Sequence, residues 1–392
     1  MNLKLAAILF VGALVASAAG KPSTRAESCS KDNCKAPDCR CLSKEAPNGL
    51  SKAETPQFVM FTFDDAVNVQ NIVYYDQIFA KRVNKLNGCP VAGTFFISHE
   101  YCDYELTHKL YKAGHEIALH SISHISSTEY WKNIKVEDLV KEFQGEKDII
   151  AKFAQINKTD IQGLRLPFLQ MSGNNSYEMM PKAGLVYDSS WPTQNMDNPP
   201  IWPYTLDYLQ PAQDCPIGPC PNKPHKGVWV MPMVNWRDED GVPCAMVDSC
   251  LKYPTDDADK LKNFMIKNFE KHYNTSKAPF GFYVHAAWFN VNPLYLEAYI
   301  KFIDYLQTKN DVILTNKAKV IEWIKNPVPL SQLKDSQWSK TCHKPSALGC
   351  TGQTCKVVRK DINEDRYMRI CGGKCPDVYP WLGNPTGQLK NV

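Results

Sequence analysis

The chain has 392 residues and a formal net charge of +4, which is small for this length and includes no long basic run. That balance does not predict nucleic-acid binding, whereas a neutral substrate is compatible with it. The 15 cysteines would be unusual in a reducing compartment, so they favour an exported protein with disulfide bonds. Because their number is odd, at least one thiol lacks a partner within the chain.

Residues 1–18 have the pattern of a secretory signal peptide: a basic Lys4, an apolar stretch at 5–15 and small residues at 16–18. The apolar stretch is too short to span a bilayer and no later stretch is apolar enough, so we expect a soluble, exported protein without membrane association. A single membrane anchor at this stretch is the alternative. Three Asn-X-Ser/Thr triplets are candidate glycan acceptors: Asn157, Asn174 and Asn274.

Residues 19–56 are predicted to form a cysteine-rich N-terminal arm. Four cysteines fall within residues 29–41, in a polar stretch with little apolar content. This pattern favours a segment stapled by disulfides over a domain with its own core. Zinc binding by these thiols is the alternative, which export disfavours.

Residues 57–328 alternate between strand and helix patterns and are predicted to form the catalytic domain. Eight runs predict strands: 58–63, 92–98, 116–120, 163–168, 185–189, 228–234, 280–286 and 312–315. Six runs predict helices: 69–84, 104–112, 136–153, 256–273, 293–308 and 317–325. This alternation predicts parallel strands joined by helical crossovers, and the size favours one α/β barrel over two small domains.

Two cysteine-rich regions interrupt or follow the barrel pattern. Residues 195–255 form a long loop insertion with many prolines, interpreted either as a wall of a substrate groove or as a structural insertion. Residues 329–392 carry five cysteines and few strand-like runs, which predict a stapled C-terminal extension that wraps over the main domain. A separate carbohydrate-binding module is the alternative for this extension.

Two pairs of potential metal ligands each follow an apolar run that predicts a strand: Asp64 with Asp65, and His120 with His124. Barrel proteins build their sites at strand C-termini, so we expect the two pairs to lie close together. Asp65, His120 and His124 would leave one coordination position open for water, which is the pattern of a catalytic zinc site. We therefore predict one Zn²⁺ per chain, or another divalent transition metal, with Asp64 as the carboxylate beside the water.

Arg165 and Phe168 end a further predicted strand. An arginine next to Asp64 would hold that carboxylate ionised and oriented. Pro167 has no N–H, so the first free amide after it belongs to Phe168. This backbone amide is a candidate donor to a developing oxyanion.

His285 also ends a predicted strand and is the candidate acid that protonates a leaving amine. Asp188, at another strand end, is predicted to lie beside His285 and raise its pKa. Taken alone, His285 is equally compatible with a buried structural histidine. Trp191, Trp288 and Trp236 are candidates for stacking on sugar faces, although each is also compatible with a core position.

Five motifs, in this order, resemble those of the polysaccharide deacetylases, carbohydrate esterase family four. They are Thr62-Phe-Asp-Asp65, His120-Ser-Ile-Ser-His124, Arg165-Leu-Pro-Phe168, Asp188-Ser-Ser-Trp191 and Tyr283-Val-His285. The resemblance covers residues 57–325 and implies a distorted (β/α) barrel with fewer than eight full repeats. With its cysteine-rich ends, the chain is most similar to arthropod chitin deacetylases that lack an appended chitin-binding module.

The resemblance implies metal-dependent removal of acetyl groups from the N-acetylglucosamine units of chitin or chitooligosaccharides. It assigns roles to seven side chains: Asp64 as general base, Asp65, His120 and His124 as metal ligands, Arg165 as the partner of Asp64, Asp188 as the residue that orients the acid, and His285 as that acid. Phe168 stands where the family often has tyrosine, and Ala286 stands where many bacterial relatives have aspartate.

We therefore expect a secreted, monomeric chitin deacetylase in a chitinous matrix, with a gut lining favoured over cuticle by the absence of appended binding modules. A chitin-associated structural or binding protein with little turnover is the alternative. A deacetylase for peptidoglycan or another acetylated glycan is a third possibility. These hypotheses differ in whether acetate is released and from which polymer.

Overall fold

The computed structural model describes residues 28–210, 212–342 and 345–389. The signal peptide predicted at residues 1–18 lies outside these ranges. None of the helices within them is long and apolar enough to cross a membrane.

Strands and helices follow one another along most of the described chain. The strands are β1 (Gln57–Asp64), β2 (Gly93–Ile97), β3 (Glu116–Leu119), β4 (Gly163–Leu164), β5 (Tyr187–Asp188), β6 (Pro192–Thr193), β7 (Tyr204–Thr205), β8 (Trp229–Val230), β9 (Met233–Val234), β10 (Trp236–Arg237), β11 (Pro243–Cys244), β12 (Phe280–His285), β13 (Val312–Leu314), β14 (Gly352–Arg359) and β15 (Glu364–Cys371). The α-helices are α1 (Ile72–Phe79), α2 (Tyr104–Lys112), α3 (Thr128–Asn133), α4 (Val136–Phe153), α5 (Asn174–Lys182), α6 (Ala258–Tyr273), α7 (Ala287–Val291), α8 (Pro293–Gln307), α9 (Lys317–Lys325), α10 (Leu330–Leu333) and α11 (Gln337–Lys340).

One curled sheet forms the centre of the molecule. Its strand order is β12-β1-β2-β3-β4-β5-β8-β7, and β13 pairs with the start of β1. Neighbouring strands are parallel except for β7 and β8. The predicted α/β class and the distorted barrel with fewer than eight full repeats are therefore confirmed.

Strand β1 is an interior strand that pairs with β2, β12 and β13, and it is apolar on both faces, as parallel strands covered on both sides are. All of its residues are buried. Phe61 packs on Tyr299 of α8, with ring centroids 5.3 Å apart. Phe58, which points the opposite way along the strand, contacts Trp323 of α9 at 5.1 Å. The site residues thus follow a strand that is fixed from both sides.

Several predicted elements have different bounds in the structure. The strand predicted at 163–168 ends at Leu164, because the next segment turns out of the sheet and Phe168 adopts a φ of 57°. The run at 228–234 is divided into β8 and β9, and the helix predicted at 69–84 is reduced to α1. Helix α5 was not predicted.

Disulfide bonds hold both ends of the chain and the insertion. The pairs are Cys29–Cys41, Cys34–Cys39, Cys89–Cys342, Cys215–Cys220, Cys244–Cys250, Cys350–Cys371 and Cys355–Cys375. The four cysteines of the N-terminal arm are thus in disulfides, as the sequence predicts. Cys102 is the unpaired cysteine, and it is buried.

The C-terminal extension contains more strand than the sequence indicated. β14 and β15 form an antiparallel hairpin that packs on α2, where Glu105 accepts a hydrogen bond of 2.7 Å from the backbone N–H of Gly352. Few of the hairpin side chains are buried, among them Cys355 and Ile370. Because so few positions in these two segments are apolar, their alternation of apolar and polar residues was a weak sign of a strand, and the sequence did not predict the hairpin.

Candidate active site

The two carboxylates at the end of β1 reach the same side although adjacent residues of a strand point to opposite faces. Asp65 adopts a φ of 80°, so the backbone turns where the strand ends. Oδ2 of Asp64 lies 3.9 Å from Nε2 of His120, and Oδ1 of Asp65 lies 3.8 Å from the same nitrogen. Both carboxylates therefore face one histidine.

The ligand atoms of Asp65, His120 and His124 lie within 4.8 Å of one another. Nε2 of His124 is 3.5 Å from Oδ1 of Asp65. Nδ1 of His120 lies 2.8 Å from the backbone oxygen of Arg165, which can only accept, so this nitrogen carries the proton and donates it. Nε2 of His120 is then unprotonated, and its lone pair can bind a metal. The three side chains together fit a divalent transition metal.

Two buried glutamates of α4 hold the loop that carries the histidines. Glu146 accepts a hydrogen bond of 2.7 Å from the backbone N–H of Ser121. Glu142 accepts from the backbone N–H and hydroxyl of Ser123 at 2.9 and 2.5 Å. Sequence reasoning missed these two residues. The signal that would have found them is a pair of carboxylates at i and i+4 on the face of α4 that otherwise buries apolar side chains.

Arg165 pairs with Asp64 in the interior of the barrel, as predicted. Its side chain is 0% exposed, and Nη1 donates to Oδ1 of Asp64 over 2.5 Å. The guanidinium also lies over the ring of Phe96, 4.2 Å from the centroid. Burial alone would raise the pKa of Asp64, but the charges of Arg165, His120 and His285 hold it below its usual value. The carboxylate is therefore ionised at neutral pH.

His285 lies beside Asp64 because the two residues are register partners on β12 and β1. Its Nδ1 is 2.7 Å from Oδ2 of Asp248, which also accepts from the backbone N–H of His285 at 2.9 Å. Burial alone would lower the pKa of His285, but the hydrogen bond and charge of Asp248, with the charges of Asp64 and Asp65, raise it to about 9. His285 is thus an imidazolium at neutral pH.

The prediction that Asp188 is the neighbour of His285 is wrong, because Asp248 occupies that place. Asp248 lies in the short loop closed by the Cys244–Cys250 disulfide, within the 195–255 insertion. That insertion therefore contributes to the site. Its sequence signal was a single carboxylate between two cysteines six positions apart.

Asp188 instead supports the segment that carries Arg165. It accepts hydrogen bonds from the hydroxyls of Ser190, at 2.5 Å, and Tyr177, at 3.2 Å. The Ser190 hydroxyl in turn accepts from the backbone N–H of Leu166 at 2.7 Å. Burial raises the pKa of Asp188 to about 6.

Outside the short helical turn of residues 167–169, the Phe168 amide makes no backbone hydrogen bond to the described residues, so it stays a candidate donor to a developing oxyanion. Phe168 itself is exposed, and its ring centroid lies 5.5 Å from that of His124. The ring of Phe168 thus borders the metal-ligand cluster.

The predicted stacking role of three tryptophans is wrong because their rings belong to the core. Trp191 is 4% exposed, Trp288 is 4% exposed and Trp236 is 2% exposed. Each indole N–H donates to a protein oxygen: that of Trp191 to the backbone of Asp214, and that of Trp288 to the hydroxyl of Tyr253. The indole of Trp236 donates to the backbone oxygen of Gly281.

A cleft of about 680 Å³ opens over the metal-ligand cluster. It is lined by Asp64, Asp65, His124 and His285 together with residues from the loops after β1, β2 and β12. A cleft of this size accommodates part of a polymer and keeps the reacting groups accessible from one side. The arrangement can therefore combine a metal-held water, an ionised base and a protonated acid around one substrate bond.

The chain is similar to several known proteins. A family model described as polysaccharide deacetylase matches residues 51–187. "Chitin deacetylase 8" of Bombyx mori is 45% identical over 378 residues, covering 96% of this chain and 97% of that protein. "Chitin deacetylase 1" of Bombyx mori is 37% identical over 378 residues, covering 93% of this chain and 69% of that protein. Among solved structures, a putative polysaccharide deacetylase from Mycobacterium smegmatis is 19% identical with a TM-score of 0.45, covering 72% of this chain and 95% of that one.

Proposed function

Because the chain belongs to the polysaccharide deacetylase family, carbohydrate esterase family four, we propose that it is a secreted, zinc-dependent chitin deacetylase. The substrate would be the N-acetylglucosamine units of chitin or chitooligosaccharides, and the products glucosamine units and acetate. The observation that carries this proposal is the convergence of three metal-ligand side chains with an ionised Asp64 and a protonated His285 in one cleft.

Asp65, His120 and His124 would hold the metal, which when bound supplies a water of lowered pKa. Asp64 is placed to accept a proton from the attacking water, since Arg165 keeps its carboxylate ionised. Such proton transfers by a positioned side chain contribute about 10²–10⁴-fold to the rate.

The leaving amine needs a proton as the C–N bond breaks and the new C–O bond forms. His285 is placed to donate that proton because Asp248 keeps its imidazole charged. The Phe168 amide is the donor available for the carbonyl oxygen that gains negative charge. Asp248 thus takes the part that the family resemblance assigned to Asp188.

Secretion is supported by the pairing of 14 of the 15 cysteines in disulfides, which persist in oxidising compartments. Because Cys102 is buried, the remaining thiol is not available to form a disulfide with a second chain. The chitin substrate is supported by the two Bombyx mori relatives, which are named chitin deacetylases.

The test is acetate release from a series of chitin oligomers by the purified protein, before and after chelation and after zinc is restored. We expect release to be lost on chelation, to return with zinc, and to fall by about 10²–10⁴-fold in Asp64→Asn. Asp138→Asn is the matched control, because Asp138 is an exposed carboxylate that pairs with Lys141 on the surface of α4.

Two results would overturn the proposal in different ways. No release from folded, zinc-loaded protein that still binds chitin would favour the structural or binding role. Release from peptidoglycan fragments but from no chitin oligomer would keep the hydrolase and change its substrate.

A further inference from the structure

The loop of residues 98–103, which joins β2 to α2, forms one rim of the cleft. Ser98, Glu100 and Tyr101 of this loop line the cleft. Tyr101 is 75% exposed and adopts a φ of 65°. A large side chain in this backbone conformation is uncommon and persists where the surrounding structure imposes it.

Tyr101 brings an aromatic ring to the cleft, where the three tryptophans predicted to stack on sugars are absent because they are buried. Among the cleft-lining residues of the described chain, no other is a phenylalanine, tyrosine or tryptophan. Val69, on the loop after β1, is the other large apolar side chain on this rim, and it is also exposed. An exposed ring beside a polar cleft suits the apolar face of a sugar.

The C-terminal extension fixes this loop through the residue that precedes Tyr101. The carboxylate of Glu100 accepts from Nη1 of Arg359 at 3.3 Å and from Nε of Arg366 at 3.1 Å. Arg359 is on β14 and Arg366 on β15, so both strands of the hairpin reach the same carboxylate. The guanidinium of Arg359 also lies 3.5 Å from the ring centroid of Trp381.

His99 makes a second connection between the loop and the extension. This residue is buried, and its Nε2 lies 2.8 Å from the backbone oxygen of Pro380. Its ring packs on Tyr379, with centroids 4.7 Å apart. The extension therefore contacts the two residues immediately before Tyr101.

The other side of the loop is tied to the segments that carry the metal ligands. The backbone N–H of Asp103 donates to the backbone oxygen of Val67 at 2.7 Å, on the segment that follows Asp65. The backbone N–H of His99 donates to the backbone oxygen of Ser121 at 3.3 Å, next to His120. The loop that carries Tyr101 is thus fixed relative to the catalytic end of the barrel.

We propose that Tyr101 is a sugar-stacking residue of the cleft, held in place by the C-terminal extension through Glu100 and His99. The extension is then part of the substrate site as well as a cover for the barrel. This inference rests on the proposed function, because it names how the same cleft binds a sugar unit next to the one that is deacetylated.

The first experiment compares Tyr101→Ala and Tyr101→Phe across chitin oligomers of increasing length. Loss of one stacking contact predicts a KM about tenfold higher for Tyr101→Ala on long oligomers, with a smaller change in kcat. Tyr101→Phe retains the ring and should stay within about twofold of the unmutated protein. Tyr367→Ala is the control, since Tyr367 is an exposed tyrosine on β15 that does not line the cleft.

The second experiment tests the support given by the extension. Arg366→Ala should raise KM in the same direction as Tyr101→Ala by about threefold, and Arg366→Lys should recover part of the loss. Lys356→Ala is the control, because Lys356 pairs with Asp365 on the hairpin itself, 2.7 Å away, and does not contact the loop.

Binding separates this inference from the proposed function. Calorimetric titration of chitin oligomers into Asp64→Asn, with and without Tyr101→Ala, measures stacking in the absence of turnover. About tenfold weaker binding of the double variant supports the stacking role even if the unmutated protein releases no acetate. Equal affinities in the two variants, or a fall in kcat with unchanged KM, would overturn it.

Discussion

The two sides of the cleft are supported in different ways. On the metal side, the ligands follow β1 and β3, and two carboxylates of α4 hold the histidine loop. On the acid side, His285 follows β12, but its partner Asp248 comes from a short loop closed by a disulfide. The metal side thus depends on the barrel, whereas the acid side depends on the insertion as well.

This difference indicates which parts of the site tolerate change. Side chains at strand ends are placed by the sheet register, which is fixed by buried strands. A carboxylate on a surface loop is placed by the loop alone, and loops vary more readily than the elements they connect. We therefore expect changes on the metal side to affect metal binding and the general base Asp64. Changes on the acid side should affect mainly the pH dependence of the activity.

The largest effect is expected for Arg165→Met, which removes the buried partner of Asp64. An unpaired buried carboxylate costs about 3–5 kcal/mol, and its pKa rises, so Asp64 would be protonated at neutral pH. Acetate release at pH 7 should fall by about 10²–10³-fold and recover partly as the pH is raised. A pH profile of kcat/KM together with a thermal unfolding curve measures both consequences. An unshifted acidic limb would contradict this account of Asp64.

Asp248→Asn is expected to have the next largest effect and distinguishes the acid side from the metal side. Burial would lower the pKa of His285, and Asp248 is the main group that raises it to about 9, together with the charges of Asp64 and Asp65. Removing the Asp248 charge should therefore lower that pKa and move the alkaline limb of kcat/KM to lower pH. Activity at pH 8 should fall by about 10–100-fold, with zinc content unchanged.

Asp188→Asn serves as the comparison for this variant. Asp188 supports the Arg165 segment through Ser190, so its substitution should lower activity without moving the alkaline limb. If Asp188→Asn moved that limb and Asp248→Asn did not, the original assignment from the family pattern would be restored.

The raised pKa of His285 also makes the stability of the fold depend on pH. The folded-state pKa of about 9 lies above the usual value of 6.5, so the protonated ring stabilises the fold fully below about pH 6.5. That contribution is lost as the pH rises towards 9. Asp248→Asn should reduce this dependence of the unfolding temperature on pH.

The sequence predicted side chains that follow buried strands, but it missed the two α4 carboxylates and the loop residue Asp248, for a physical reason. Asp64, Arg165 and His285 follow buried apolar runs, and parallel strands bring such positions together at one edge of the sheet. Asp248 and Tyr101 lie on loops, whose course is set by disulfides and tertiary contacts that no local pattern encodes. The tryptophans were misplaced for a related reason, since an aromatic residue near a motif has the same pattern whether its ring is buried or exposed.

A smaller effect is expected for Glu146→Ala, which tests the support of the metal side. Removing the acceptor for the backbone N–H of Ser121 leaves a buried donor unsatisfied, at a cost of about 1–3 kcal/mol. Zinc affinity should fall by about tenfold, as for other residues that orient a metal ligand. Glu146→Gln retains an acceptor, and burial already raises the pKa of Glu146 well above its usual value, so it should remain close to the unmutated protein. Competition with a fluorescent zinc chelator gives the affinities.

The smallest effect is expected when the disulfide of the Asp248 loop is removed in Cys244→Ser/Cys250→Ser. The loop is short, so little stability comes from its closure, but Asp248 would no longer be confined beside His285. Activity at pH 8 should fall by about three- to tenfold and the alkaline limb should move in the same direction as in Asp248→Asn, because a less ordered carboxylate raises the pKa of His285 less. Cys215→Ser/Cys220→Ser, which opens another short loop of the insertion, is the matched control. Equal losses in the two double variants, without any shift of the limb, would mean that the disulfide stabilises the insertion generally and does not position Asp248.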